Sequence, residues 1–392
     1  MLDLEAVVGL PCYEVTGVSS VGQLVRIEAR YVGETWCPKC NGTSLRHRGR
    51  RIRRVRHENI GERACELVLE SRKWRCRGCG KSFWQRFPGI LPRKRSSEPF
   101  RRLVAGQHRD GISRHRLGER LRIGSATVER WFQDCLGRKA RELSLECPRQ
   151  LGIDEHFFSK KDGYATTFCN LATRRVHDVV LGRSESSLER YLNRMTGKAQ
   201  VEYICMDLSV TYRAVARKHF PSAKIVADRF HVIRVVNHHF LAAWKAIDPQ
   251  GAKNRGLVSL IRRHRSNLKD AEQERKLDSY LAGWPGLAAI YEFKQQFCTL
   301  LCQKHCTAQK CRQLAPKLLA AIDQLLGAKL TPLVTLGETL KSWQQEIAAM
   351  WRFTKNNGIT EGLHNKMENL KRQAYGFRNF ENYRIRVRVM CC

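Results

Sequence analysis

LGIDEHFFSKKDG, residues 151–163, sets two carboxylates, Asp154 and Glu155, inside a short apolar run of a 392-residue chain whose formal net charge is +34. Acids scattered over a surface need no explanation. An acid within a buried strand does, because burying a charge costs free energy unless something compensates it. The run around Asp154 reads as a strand. YATTFCNLA (164–172) and RVHDVVLG (175–182) follow as strands with short connectors, so the three predict an antiparallel meander. SESSLERYLNRMTG (184–197) reads as a helix, VEYICMDLS (201–209) as a fourth strand, TYRAVARKHF (211–220) as a helix and AKIVADRF (223–230) as a fifth strand.

The order βββαβαβ is the ribonuclease H-like arrangement, in which the first and fourth strands lie adjacent and parallel. Asp154 and Asp207 then sit near the C-terminal ends of those strands and converge at one edge of the sheet. Like charges that close repel unless a divalent cation bridges them. Glu155 points to the other side of its strand and reads as a supporting or surface residue. A third acid is expected from a later helix. In GITEGLHNKMENLKRQA (358–374), Leu363, Met367, Leu370 and Ala374 form one apolar face. Glu361 and Asn365 lie off that face, as do Lys371 and Arg372, which read as DNA contacts. Glu361 near the helix start is the candidate, with Glu368 a weaker one. Asp228, followed by His231 in VADRFHV, either orients DNA, supports the metal site or caps the next helix. Asp162, Asp178 and Glu185 read as solvated.

Outside this block, Cys37-Pro-Lys-Cys40 and Cys76-Arg-Gly-Cys79 are two knuckles separated by residues 41–75. Zinc takes four soft ligands in a tetrahedron, and each CxxC turn supplies two thiolates, so the pair predicts a structural Zn2+ site whose spacer folds as a hairpin or more. A redox role is the rival, but redox CxxC motifs do not usually come in pairs. Trp74 and Trp84 are expected to pack on the second knuckle. The spacer carries RHRGRRIRRVRH (46–57), with seven Arg. Arg50, Arg51, Arg53 and Arg54 are candidate phosphate contacts on a backbone that the zinc module holds. In residues 97–132, Ser97 and Ser113 can cap two helices, Ile123-Gly124 makes a turn, and Ser125 starts a short third helix, SATVERWF. Val128 and Trp131 then face inward with Leu117 and Leu121. Thr127, Glu129 and Arg130 face outward, Thr127 and Arg130 as DNA contacts. This is either a helix-turn-helix region or an ordinary three-helix bundle.

Composition supports a nucleic-acid partner. Lys and Arg total 71 against 37 Asp and Glu, and a field of that sign attracts polyanions. Hydrophobic residues make up 42%, enough for folded cores. No apolar run reaches the ~18 residues of a membrane span. The start, MLDLEAVVGLPCYEV, is acidic and unlike a secretory signal. Sixteen Cys without such a signal fit a reducing compartment. FCTLLCQKHCTAQKC (297–311) contributes Cys298, Cys302, His305, Cys306 and Cys311, which read as packing residues, with a second zinc site as the alternative.

The paired CxxC, GIDEHFF, the MDLS stretch, ADRFHV and ITEGLHNKMENLKRQAYGFRNFENYRIRV (359–387) together resemble the bacterial insertion-sequence transposases of the ISL3 type, within the DDE transposases. The resemblance covers most of the chain, and the Cys-rich stretch 297–311 departs from it. It implies a catalytic triad of Asp154, Asp207 and Glu361 holding Mg2+ or Mn2+ for cleavage and joining of DNA strands. It also implies double-stranded DNA partners (terminal inverted repeats and target), a homodimer or higher oligomer on DNA, and a cytoplasmic, nucleoid-associated setting. The expected multidomain α+β architecture has a zinc-binding module (1–90), a helix-turn-helix region (96–145), the first part of a ribonuclease H-like core (150–235), an all-α insertion (236–350) and the rest of the core (351–392). Two other readings share most of these features. A zinc and helix-turn-helix regulator has no need of the three acids, and a nuclease of the same fold cuts without joining.

Overall fold

The computed structural model describes residues 8–354 and 358–391. The acidic start at residues 1–7 lies outside the described residues. The chain divides into two compact units, Met1–Glu142 and Leu143–Cys392. Among the described residues, no helix is long and apolar enough to cross a membrane.

In the first unit, strands β1 (Tyr13–Val21), β2 (Leu24–Tyr31), β3 (Leu45–Ile60) and β4 (Arg63–Cys76) form a sheet of order β1-β2-β4-β3, and β5 (Ser82–Trp84) pairs with β4. The spacer between the knuckles is therefore a long antiparallel hairpin, β3 with β4. Its inner half is apolar where it meets β2: Val55, Cys65, Leu67 and Leu69 are fully buried beside Ile27. Its outer half is mostly exposed, carries the Arg run, and ends with Leu45 opposite Cys76.

Three helices follow: α1 (Glu98–Arg109), α2 (Arg114–Leu121) and α3 (Ser125–Glu142). Ser97 and Ser113 cap the first two by accepting from the N–H of Phe100 and Arg116. Arg122 ends α2 in the left-handed region, at φ 52°. The turn is tight: a Cβ on Gly118 would lie 2.8 Å from the carbonyl oxygen of Ile123. Leu117, Leu121 and Val128 are buried as the sequence pattern predicts, with Trp131 against them, and Phe100 and Val104 complete that small core. The third helix differs from expectation in length. It runs 18 residues, because Leu136 continues the buried stripe of Val128 and Phe132 past the quoted segment.

The second unit is built on a sheet of order β10-β9-β6-β7-β8, comprising β6 (Gln150–Ser159), β7 (Gly163–Asn170), β8 (Arg175–Leu181), β9 (Tyr203–Met206) and β10 (Lys224–Ala227). The strands β6, β7 and β8 form the meander. The helix α4 (Glu185–Arg194) and then α5 (Val210–His219) lead into β9 and β10, which are parallel to β6 and to each other. Leu151, Ile153, Ile204 and Met206 face α4 and α5 on one side. Cys205, Val226, Ala165 and Cys169 face the other side, toward the later helices.

Those later helices are α6 (Arg229–Ile247), α7 (Arg255–Arg262), α8 (Ala271–Ala282), α9 (Pro285–Leu301), α10 (Ala308–Leu326), α11 (Thr331–Ser342), α12 (Gln344–Ala349), α13 (Gly358–Gln373) and α14 (Phe380–Met390). Most of this block does not stand apart from the sheet. Phe297, Leu318, Leu336 and Trp351 share one core with Cys205, Val226 and Val179. Among the described residues, the end of α6, with α7, α8 and the start of α9, builds a separate cluster around Trp244 and Leu277.

Candidate functional site

Register in the parallel part of the second sheet places three aspartates in one row. Ile153 pairs with Met206, and Met206 pairs with Ala227. The next residue on each chain is Asp154, Asp207 and Asp228. Asp154 is not at the end of its strand, because β6 runs on to Ser159 in its hairpin with β7. What ends at Asp154 is the parallel pairing with β9. Asp154 is 8% exposed and Asp228 1%.

Burial dominates the electrostatics of this row. It pushes the Asp154 carboxyl up to about 7, helped by the charges of Asp207, Asp228 and Glu155, against one N–H bond from Glu155. Burial likewise raises Asp207 to about 6, with Glu155 and Asp228 adding to it and Arg234 opposing. The Asp207 Oδ1 atom is buried with no hydrogen-bond partner. A buried carboxylate oxygen in that state is a position for a cation, and a row of hard oxygen donors suits Mg2+ or Mn2+. Glu155 pairs with Arg183 at 3.1 Å on the half-exposed side, yet its charge still reaches both aspartates.

Asp228 precedes α6 but makes no side-chain capping bond there. Its carboxylate lies 3.7 Å from His231 Nε2. Burial lowers His231 to about 4, with Arg234 adding to the effect. A second histidine, His364, was not singled out from the sequence. It sits one turn after Glu361 and its Nε2 is 3.2 Å from Thr167 Oγ1, and Thr167 is the strand partner of Asp154. His156 Nδ1 shares that hydroxyl at 2.9 Å, and its Nε2 is 2.9 Å from the Tyr383 hydroxyl. This chain of contacts docks α13 onto β7 beside the aspartate row. Its signal in the sequence is weak, because the partners lie up to 227 residues apart.

Glu361 is exposed in the first turn of α13, just after residues 355–357, which lie outside the described residues. Leu363, Met367 and Leu370 are buried, as the apolar stripe predicts. Lys371 donates to the Phe157 carbonyl at 3.1 Å and to Glu368 at 2.7 Å, while Arg372 is exposed. Among the described residues, Asp154, Asp207 and Glu361 are not gathered within 4.8 Å of one another, whereas one set of four thiols is.

That set is Cys37, Cys40, Cys76 and Cys79. The Sγ atoms of Cys37 and Cys79 are 3.5 Å apart, as are those of Cys40 and Cys76. A zinc–sulfur bond of about 2.3 Å in a tetrahedron requires sulfurs about 3.8 Å apart. Burial opposes charge on Cys37, but the N–H groups of Lys39 and Cys40 and the adjacent thiols outweigh it and lower that thiol to about 6. The later cysteines do not gather in this way. Cys298 is buried in the core, Cys306 and Cys311 pack against it, and Cys302 is exposed. The four-residue step ends where α9 ends, at Leu301.

The Arg candidates are not equivalent. Arg50, Arg51 and Arg54 are exposed, whereas Arg53 donates to the carbonyls of Leu91 and Lys94 at 3.0 and 2.7 Å. Trp84 carries the Arg51 guanidinium 4.0 Å above its ring, and Trp74 meets His47. In the helical region Arg130 is exposed and donates to Thr127 Oγ1 at 3.2 Å. Glu129 does not point free into solvent, lying 3.7 Å from His108.

Two family models match the chain. One, an ISL3-type DDE model described as a transposase, matches residues 151–387. The other, described as the zinc-finger of transposase IS204/IS1001/IS1096/IS1165, matches residues 33–79. The chain is also similar to the transposase for insertion sequence element IS1001 of Bordetella parapertussis, at 24% identity over 364 residues, covering 90% of this chain and 88% of that one.

Proposed function

The chain belongs to the ISL3 family of transposases, whose model spans more than half of it, and from that premise we propose that it binds the terminal inverted repeats of its own insertion sequence and cuts and joins DNA strands at the aspartate row. It is a DNA transposase with a zinc-binding N-terminal module. Asp154, Asp207 and Glu361 are the metal-binding and catalytic acids of this reading. The observation that carries it is the register that sets Asp154, Asp207 and Asp228 side by side, the first and last buried and Asp207 half-buried with its Oδ1 atom buried and without a hydrogen-bond partner.

Divalent ions held there would activate a water or a 3′-hydroxyl and stabilise the leaving oxygen of an in-line phosphodiester attack. The chain's own residues do the rest. Asp154 and Asp207 hold negative charge in a buried place where it is costly, so the site has high affinity for a small dication. His364, through Thr167, fixes the helix that presents Glu361. Asp228 with His231 supports the row from the neighbouring strand. Helices α1 to α3 act as a helix-turn-helix region, and β6 to β10 with α4 and α5 form a ribonuclease H-like core. Arg50, Arg51, Arg54 and Arg130 gather the phosphates, with Arg372 a weaker contact, and two or more chains assemble on the DNA ends.

The test uses the element's terminal DNA and scores binding and cleavage on the same preparations. Asp154→Asn, Asp207→Asn and Glu361→Gln each abolish cleavage and joining and leave binding intact, because each swap keeps shape and removes one metal-binding charge. Three variants that cut like the parent chain would refute the triad. A parent chain that binds the ends yet cuts nothing in Mg2+ or Mn2+ would instead mark a regulator, and cutting without joining would mark a nuclease.

A further inference from the structure

The first unit has a groove of about 1590 Å3, of which the readings above use only the arginines of β3, as phosphate contacts. One wall is the Arg-rich part of β3, residues 51–54. The other is the segment 83–95, which the Arg53 guanidinium ties to β3 through the carbonyls of Leu91 and Lys94. Six exposed cations line it: Arg51, Arg54, Arg86, Arg93, Lys94 and Arg95. Among the described residues none of these six is paired with a carboxylate. Of the acids at the rim, Glu66 and Glu98 are paired with Arg26 and Arg138, and Glu34 is exposed.

The same groove exposes apolar surface. Trp36 is 51% exposed and Ile52 62%. In the same lining the Arg51 guanidinium lies over the Trp84 ring, 4.0 Å from its centroid. A cation surface alone suffices for the outside of a duplex, which presents phosphates and hides the faces of its bases. Trp36, Ile52 and the Arg51–Trp84 stack have no counterpart on a phosphate backbone. They do have one on the face of an unstacked base.

We infer that this groove is a binding site for unpaired nucleotides, in which the cations follow the backbone of a single-stranded DNA segment and Trp36 and the Arg51–Trp84 stack receive its bases. The inference does not depend on the acidic row, since it concerns binding alone, in the other unit, and needs no divalent ion.

Fluorescence anisotropy of the full chain without added divalent metal tests it, with an oligo-dT strand and a blunt duplex of equal length as probes. Trp36→Ala should weaken binding of the single strand about five- to hundredfold, the range for loss of one stacked base, and leave duplex affinity within about twofold. Trp36→Phe should restore most of the loss. Zinc content at one equivalent in both variants excludes damage to the adjacent Cys37. Equal weakening on both probes would show that the groove clasps a duplex and would overturn the proposal. So would an unchanged single-strand affinity, or a parent chain that binds the duplex and ignores oligo-dT.

Discussion

The sheet of the second unit buries acids in two places and treats them in opposite ways. On β8, Asp178 is fully buried and gripped by Arg384, with two hydrogen bonds of 2.7 Å. Arg388 stands 3.7 Å away, and the N–H of Val179 donates to the same carboxylate. Two strands across, Asp154 is buried beside the half-buried Asp207 and the buried Asp228, with one N–H bond from Glu155 opposing the rise at Asp154 and the charge of Arg234 opposing it at Asp207. The first acid is neutralised within the chain and ties α14 to the sheet edge. The second group is left short of positive charge. That difference separates a structural acid from a group waiting for a cation, and burial alone does not reveal it.

The largest effect on stability should come from breaking the compensated site. Asp178→Ala removes the carboxylate that takes two bonds from Arg384, which keeps only its weaker contact with Glu381 at 3.1 Å, and losing one member of a buried pair costs about 3–5 kcal/mol. Denaturant unfolding should show a loss of that size in the second unit. A loss below about 1 kcal/mol would mean the clamp is solvated in practice, and the contrast with Asp154 would collapse.

The two acids were not equally legible in the sequence. Asp154 declares itself through its place in the short apolar run LGIDEHFF and the strand order after it, both local signals. Asp178 read as solvated, and the structure overturns that. Its partner Arg384 lies 206 residues away, and no local pattern reports such a pairing. The same limit hid His364 and the commitment of Arg53 to the carbonyls of a distant loop. The paired CxxC and the caps at Ser97 and Ser113 were legible because each depends on a spacing of three or four residues. Residues 236–350 read as an all-α insertion from the sequence, and what the sequence did not show is that many of their apolar faces join the core beneath the sheet, because an amphipathic stripe does not say what covers it.

A second effect follows from the uncompensated site. Burial raises Asp154 from 3.8 to about 7 and Asp207 from 3.8 to about 6. A raised carboxyl favours folding while it stays protonated, so its contribution is complete below about pH 4 and is lost as pH rises through the folded values. The metal-free protein should therefore lose several kcal/mol of stability between about pH 4 and 7 as the two acids titrate together. Asp154→Asn should remove most of that slope and make the metal-free chain more stable than the parent at pH 8. Parallel pH profiles of unfolding for parent and variant would show that Asp154 is compensated after all.

The smallest effect concerns Asp228, and it decides how far the uncompensated site extends. Its charge raises both Asp154 and Asp207, so Asp228→Asn should lower both carboxyls. The pH midpoint of the stability loss should then move down, by less than about one unit, since Asp228 is a minor cause beside burial. A helix cap would behave differently. Its loss would lower stability by about 1 kcal/mol at every pH and leave the midpoint in place. The absence of a side-chain capping bond at Asp228 favours the first outcome. A midpoint that stays fixed while stability drops uniformly would remove Asp228 from the row and leave Asp154 and Asp207 as a pair.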